Sequence, residues 1–418
     1  MRSLPFTRKN LVRYRIYWWQ HPVGSGILAL TIYAAIAASF NPTFAPTLNA
    51  YFNYLADAFL HGQLNLRLIP PTTHDLVYFG GQYFLYWPPL PALLLLPFVA
   101  VFGVNFSDVL FTVVVGALNV ALMSVLLHSA QRRGLIDLTP TQRSWLVMFF
   151  ALGTVHITLT PFGRVWFVGQ LVALTCVLLT YLAALRLEGL RAFVLVGFGV
   201  GATFLTRNHM AFAGLWPLVY LVARHRSSGW RRLLGGVMAS AMPALGAVLL
   251  FGIYNYLRFG NFFDVGVNYH LMDPNFVDEY RQYGLLSIHY LPVNFFYQYI
   301  AYPLPYNPQT FAGGGLFWLS PLWSAAVWGA IKGRPRWSAG VLVVTVGLVA
   351  VPILLLMGTG WEQFGPRYTL DFSVPLMLLT ALGIRRWPLQ VIVLLTLLSI
   401  VQFSIGMLYW GKLMMAFP

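Results

Sequence analysis

Apolar runs alternate with short polar interruptions along almost the whole chain. Stretches near 23–40, 109–129, 144–160, 166–185, 192–206, 209–223, 233–257, 313–330, 338–357, 368–384 and 389–410 approach the roughly 20 residues a helix needs to cross a bilayer. In lipid, every backbone N–H and C=O must be bonded within its own segment, so each run is predicted as a helix. The expected architecture is all-α: a polytopic transmembrane helical bundle of about eleven spans forming one domain over residues 1–418. A twelfth run, Pro89 to Phe102, is shorter, starts in Pro88-Pro89-Leu90-Pro91 and contains Pro97. It is read as a re-entrant or interfacial helix.

The basic residues orient this pattern. With the twelfth run left out and the N-terminus inside, the cytoplasmic connections hold all Lys and Arg except Arg67, Arg164, Arg207, Arg258, Arg281, Arg367 and Lys412. Counting that run as a span would send Arg132, Arg133 and Arg143 outside and invert every later loop. The preferred topology is therefore N-in and C-out. Of the acids, only Asp137 and Glu188 then fall inside; Asp57, Asp75, Asp108, Asp264, Asp273, Asp278, Glu279, Glu362 and Asp371 lie at the outer face. Insertion constrains acids only weakly, so this asymmetry points to chemistry on the outer side.

Two outer segments break the rhythm of short connections, 41–108 and 258–312. Both are rich in aromatic residues, Pro and Asn and too poor in charge for a solvated disordered linker. The first is expected to contain juxtamembrane helices, including an amphipathic one over 49–61 ended by Gly62, and the second to act as a lid.

Composition removes the soluble alternatives. The apolar set makes up 58% of the chain and charged residues 9%, against about 25% charged in soluble domains. The net charge of +15 would suggest nucleic acid in a soluble protein, but the basic residues sit in short clusters between apolar runs. A nucleic-acid partner is not expected. The single cysteine, Cys176, excludes an intramolecular disulfide. The basic N-terminus and the first apolar run imitate a signal peptide, but that run is long enough to be a retained span.

No phosphate-binding loop, dinucleotide fingerprint, zinc-protease motif or nucleophile elbow is present. The candidate chemistry is instead a set of outer carboxylates and arginines. Asp57, flanked by apolar residues on the amphipathic helix, and Asp75, after the rigid Pro70-Pro71 pair and beside His74, are alternative general bases. Arg164, Arg207 and Arg367 sit at outer span ends against the topological preference, where a guanidinium fork suits a lipid phosphate. Only Arg367 has a nearby acid in sequence, Glu362; Tyr368 and His74 are supporting candidates. His61 and His74 with Asp57 and Asp75 match no metal-ligand spacing, so no cofactor is expected and a divalent metal is the minority reading. Tyr83, Phe84, Tyr86, Trp87, Phe295, Phe296, Tyr297 and Tyr299 fit an interfacial belt as well as a sugar-stacking platform.

Several short motifs occur in a telling order: Tyr54-Leu55-Ala56-Asp57-Ala58-Phe59-Leu60-His61-Gly62, then His74-Asp75-Leu76 and Tyr86-Trp87-Pro88-Pro89-Leu90. Leu205-Thr206-Arg207, Tyr256-Leu257-Arg258-Phe259-Gly260, Gly315-Leu316-Phe317-Trp318-Leu319-Ser320-Pro321 and Phe364-Gly365-Pro366-Arg367-Tyr368 follow. With the long first outer loop, this pattern resembles the GT-C superfamily of membrane glycosyltransferases, which includes protein O-mannosyltransferases and aminoarabinose transferases. The resemblance implies a polyprenyl-phosphate-linked sugar as donor and inverting transfer to a glycan, lipid or protein acceptor at the outer face. It also implies a carboxylate base in the first outer loop and basic residues on the lipid phosphate. Many members carry an Asp-Glu pair after the first span where this chain has Leu48-Asn49, so the base falls to Asp75 or Asp57.

The resemblance and the lack of targeting motifs suggest the plasma membrane of a prokaryote. Two other classes compete: a non-catalytic polyprenyl-lipid-binding scaffold, supported by the missing Asp-Glu pair, and a flippase or transporter. The transporter reading expects carboxylates in mid-span, and none is seen.

Overall fold

The computed structural model describes residues 17–303, 313–358, 360 and 363–416. The basic residues of the first fifteen positions, the stretch 304–312 of the second outer segment and the candidate Glu362 lie outside the described residues. The helices run in the order α1 (Pro22–Phe40), α2 (Tyr51–Leu60), α3 (Leu90–Phe102), α4 (Asp108–Arg132), α5 (Pro140–Leu152), α6 (His156–Leu159), α7 (Val165–Arg186), α8 (Gly189–Phe204) and α9 (Leu215–His225). There follow α10 (Trp230–Phe259), α11 (Pro274–Tyr283), α12 (Leu291–Phe295), α13 (Leu316–Leu319), α14 (Ser324–Lys332), α15 (Arg336–Leu354), α16 (Ser373–Gly383) and α17 (Leu389–Ala416). One departure from the all-α expectation is an antiparallel hairpin of β1 (Val77–Phe79) and β2 (Gln82–Phe84). Its turn is Gly80-Gly81, both at positive φ, as a two-residue hairpin of this hand requires.

Seven of the expected spans are helices long and apolar enough to cross a membrane: 22–40, 108–132, 140–162, 165–186, 230–259, 336–354 and 389–410. The other four are shorter or broken. The run 192–206 becomes the 16-residue α8, and 209–223 a 3-10 turn, Asn208–Gly214, leading into the 11-residue α9. The run 313–330 splits into α13, a 3-10 turn Pro321–Trp323 and α14, and 368–384 enters through a 3-10 turn, Arg367–Phe372, before α16. Three of these four start in polar or Gly/Pro sequence, Arg207-Asn208-His209, Gly313-Gly314-Gly315 and Pro366-Arg367. Irregular backbone at membrane depth is stable only where protein or a cavity, not lipid, surrounds it.

The chain connections collect at two ends of opposite character. At the basic end, Arg133 donates to Leu185 O (2.6 Å) and reaches Glu188 (3.4 Å). Arg224 donates to Leu187 O (2.9 Å) and pairs with the same Glu188. Arg385 binds Asp137 (2.9 Å). The other end carries the first outer segment. The amphipathic helix expected over 49–61 is α2, closed by His61 and by Gly62 at φ +70°. It packs with α3 over the end of α7, burying Tyr51, Leu55, Leu85, Leu95, Val165, Val168 and Val172 in one cluster. Asn53 of α2 donates to Val104 O (3.0 Å) and Phe106 O (2.7 Å), which ties α2 to the end of α3.

Asp108, buried in the first turn of α4, anchors this end. Its carboxylate accepts from Thr47 N (2.9 Å), the Thr47 hydroxyl (2.5 Å) and Arg164 N (3.0 Å). Gly163 sits at φ +62°, and a Cβ there would lie 2.9 Å from the Asp108 carboxyl carbon. Removing the carboxylate strands three donors, each costing about 1–3 kcal/mol if left unmade. We predict that Asp108→Ala lowers stability by about 3 kcal/mol, read as a fall in unfolding midpoint in detergent; an unchanged midpoint would count against the anchor.

Candidate active site

Asp75 stands where the two outer segments meet. Its amide donates to Leu271 O (3.0 Å), and Leu271 N donates back to Leu76 O (2.7 Å), so the second segment is stitched to the first. The backbone at Asp75 is left-handed, φ +63°, a conformation Asp tolerates better than most residues but one held here by its surroundings. Beneath it, Asn49 Nδ2 donates to the Tyr51 hydroxyl (2.9 Å), and that hydroxyl donates to His74 O (2.7 Å). The residue at the position of the resemblance's missing acid therefore supports the Asp75 turn.

The two carboxylate oxygens of Asp75 have different surroundings. Oδ2 accepts from Trp166 Nε1 at 3.0 Å. Oδ1 is flanked by the Nε2 atoms of His74 (3.5 Å) and His270 (3.4 Å). His270 Nε2 is buried and not aligned for a hydrogen bond, so Oδ1 is the oxygen left to take a proton. Burial pushes the His270 imidazole below its ordinary pKa, with the Asp75 charge opposing the shift. Tyr86 stacks edge-on against His270 (4.7 Å) and tilts against Trp87 (4.0 Å). Burial, and then the Asp75 charge, push its hydroxyl well above the ordinary value, so it stays neutral.

Beside this carboxylate lies a cluster built on Asp371, whose side chain is fully buried. Asp371 Oδ2 accepts from Arg207 Nη2 (2.9 Å) and is 2.8 Å from His209 Nε2. Its Oδ1 accepts from Gln170 Nε2 (2.8 Å), which also reaches Arg367 O (3.3 Å). The Arg367 guanidinium lies over Tyr368 (5.0 Å) and Phe167 (5.7 Å), and Arg207 over Tyr368 (5.6 Å). Arg367 Nη2 also meets the Tyr368 hydroxyl at 3.3 Å. The Nε atoms of both arginines are buried without a hydrogen-bond partner among the described residues. Both guanidinium groups thus keep a donor that no described residue takes, which suits an anion. Trp166, which binds Asp75, and Gln170, which binds Asp371, stand one turn apart on α7, so the two clusters are neighbours.

The structure thus brings together Asp75, His74, Arg207, Arg367 and Tyr368. Asp57 is placed differently. Arg67 grips its carboxylate with Nε (2.9 Å) and Nη2 (3.1 Å), and His61 stands 3.7 Å away. Both of its oxygens are therefore already occupied by the guanidinium fork. Arg164 caps α7 at φ +66° with its amide on Asp108, and its half-buried side chain is partnered. Arg207, with no nearby acid in sequence, finds its partner in Asp371, far along the chain. His209, Gln170, Trp166 and His270 were not singled out in the sequence. The polar triplet Arg207-Asn208-His209 interrupting an apolar run was a usable signal for the first; His270 had none. Among the described residues, no three His, Cys, Asp or Glu side chains converge as a metal-ligand set.

No family model and no curated protein matches the chain. Solved structures do. The crystal structure of ArnT from Cupriavidus metallidurans bound to undecaprenyl phosphate aligns with a TM-score of 0.51 at 16% identity, over 92% of this chain and 63% of that one. The apo state of the same protein aligns at 0.47 and 16%, over 88% and 60%. The S. cerevisiae protein O-mannosyltransferase Pmt1-Pmt2 complex bound to the sugar donor aligns at 0.35 and 14%, over 56% and 34%. These neighbours are GT-C glycosyltransferases, and the ArnT likeness shows that this chain has the GT-C fold. The chain spans less than two thirds of the length of ArnT.

Two outcomes follow from the geometry. Asp371→Asn leaves Arg207 and His209 buried beside a neutral amide and should cost about 3 kcal/mol. Combining it with Arg207→Gln should recover much of that loss, and a double variant no better than the single would refute the pairing. The depressed His270 pKa means that folding disfavours protonation there. Stability present above the unfolded value, about 6.5, is therefore lost as pH falls below it. His270→Gln should flatten that decline in a melting series from pH 7.5 to 5, whereas parallel curves would contradict it.

Proposed function

We propose that this protein is an inverting glycosyltransferase. It would move a sugar from a polyprenyl-phosphate donor to a glycan, lipid or protein hydroxyl at the outer face of a prokaryotic plasma membrane. The observation that carries the reading is that one helix, α7, holds Asp75 through Trp166 and, one turn on, the Asp371 cluster with Arg207 and Arg367 through Gln170. A proton acceptor and an anion site are what displacement of a phosphate by a hydroxyl requires. The GT-C fold, and the undecaprenyl phosphate bound to ArnT, support the same reading.

In the proposed reaction the acceptor hydroxyl attacks the anomeric carbon from the side opposite the phosphate. Asp75 Oδ1 takes the hydroxyl proton as the new C–O bond forms. The anomeric C–O bond to phosphate breaks, and its electron pair leaves on the lipid phosphate. Arg367 and Arg207 take up that charge through their free Nε–H groups, with Tyr368 between them. His74 and His270 orient the acceptor beside Oδ1. The donor is already activated, so the step runs without ATP, and the arginines take the place of a metal. Asp57, held by Arg67, serves the fold of the first outer segment. Arg164 shapes the entry to α7, and Glu362 is kept as a supporting candidate for substrate binding.

The test is release of polyprenyl phosphate from a panel of polyprenyl-phosphate sugars by protein in lipid nanodiscs, with crude membrane acceptors. Asp75→Asn should lower release about 10²–10⁴-fold while still binding donor, and Asp57→Asn should cost far less. Full release by Asp75→Asn would remove it as the base. No release from any donor by the wild type, with lipid still bound, would favour a scaffold.

A further inference from the structure

The basic end carries a cleft that the transfer reaction does not use. α1 and α5 are tied at their far ends, where the α1 residue Tyr33 donates its hydroxyl to Ala151 O of α5 (2.8 Å). Toward the basic end the two helices flank a narrow cleft of about 120 Å³, with α4 as the floor and the turn Trp18–Gln20 as a lip. The walls are apolar, including Leu28, Ile32, Val147 and Met148. Leu28 is 42% exposed, so the cleft opens toward the lipid side of α1.

The mouth of this apolar cleft is cationic. Arg143, one turn into α5, lines it, and its Nε is buried without a hydrogen-bond partner among the described residues. His128 lines it as well, its Nδ1–H donating to Ser124 O (2.8 Å). Arg143, Arg132 and His21 all lie near enough for their charges to act at His128. Ser144 adds a hydroxyl at the same level. The described acids of this end are engaged elsewhere, Asp137 with Arg385 and Glu188 with Arg133 and Arg224.

We propose that this cleft is a binding site for an anionic phospholipid, its phosphate on Arg143 and the Ser144 hydroxyl and one acyl chain along α1 and α5. An apolar wall alone would accept any lipid chain. A half-buried guanidinium whose Nε has no hydrogen-bond partner among the described residues selects a phosphate bearing net negative charge. The leaflet facing the basic loops is the one in which anionic lipids attract such residues. The site lies at the opposite end of α1 from Thr47 and Asp108, so it is separate from the Asp75 site and does not depend on the glycosyltransferase reading.

The experiment is native mass spectrometry and thermal unfolding of the delipidated full chain titrated with phosphatidylglycerol, phosphatidylcholine or inorganic phosphate. One phosphatidylglycerol should be retained about tenfold more tightly than phosphatidylcholine, and Arg143→Gln should abolish that preference. Leu28→Trp, at a lipid-facing position, fills the cleft without touching its charge and should weaken phosphatidylglycerol similarly, which keeps the test open if Arg143→Gln fails to fold. Equal retention of the two lipids, wild-type binding by both variants, or full stabilisation by inorganic phosphate alone would overturn the proposal.

Discussion

The constraint on which the site depends is the buried carboxylate of Asp371. Two guanidinium groups and an imidazole stand at helix ends in a chain that is mostly apolar, and each would cost several kcal/mol to bury unpaired. Asp371 offsets that cost by serving Arg207 and His209 with one oxygen and Gln170 with the other. In doing so it joins α7, the turn after α8 and the turn before α16. Both turns are 3-10 rather than α-helical. The shortened helices are thus the structural counterpart of a polar cluster that regular spans would have no room to hold.

A second element of order comes from the outer segments. α2 and α3 form an apolar platform on α7, and the hairpin and the Asp75 turn rest on it. The second segment then closes over the turn through Leu271 and His270. Asp75 is held from three directions, by Trp166 of the bundle, by the Tyr51–Asn49 pair beneath and by the second segment above. A carboxylate kept in left-handed backbone by that many contacts is pre-organised, as its proposed role as base requires.

Much of this was legible in the sequence, because the strongest signals are local. Run length and apolarity revealed the long helices, i/i+4 spacing the amphipathic α2, and Pro density the short α3. Arg164, Arg207 and Arg367 stood out as basic residues against the topological preference, and Asp75 by its place after Pro70-Pro71 beside His74. Partnerships were not legible. Arg207 and Asp371 are brought together only by the packing of α7, α8 and α16, and Asp75 and His270 only by the stitching of two segments. Asp57 looked as good a base as Asp75 until Arg67, ten residues on, proved to hold it. The four short or broken helices were invisible for a related reason: apolarity sets which segments lie in the membrane, but not whether their ends stay helical.

The central claim is that a donor phosphate rests on Arg207 and Arg367 with the anomeric carbon beside Asp75. The most direct measurement is a structure of the Asp75→Asn protein, which should bind without turning over, with a polyprenyl-phosphate sugar in nanodiscs. The account predicts the phosphate within hydrogen-bonding distance of both arginines and the sugar between them and residue 75. A phosphate seated on Arg67 or Arg164, or at the basic end, with the Asp371 cluster unoccupied, would contradict it.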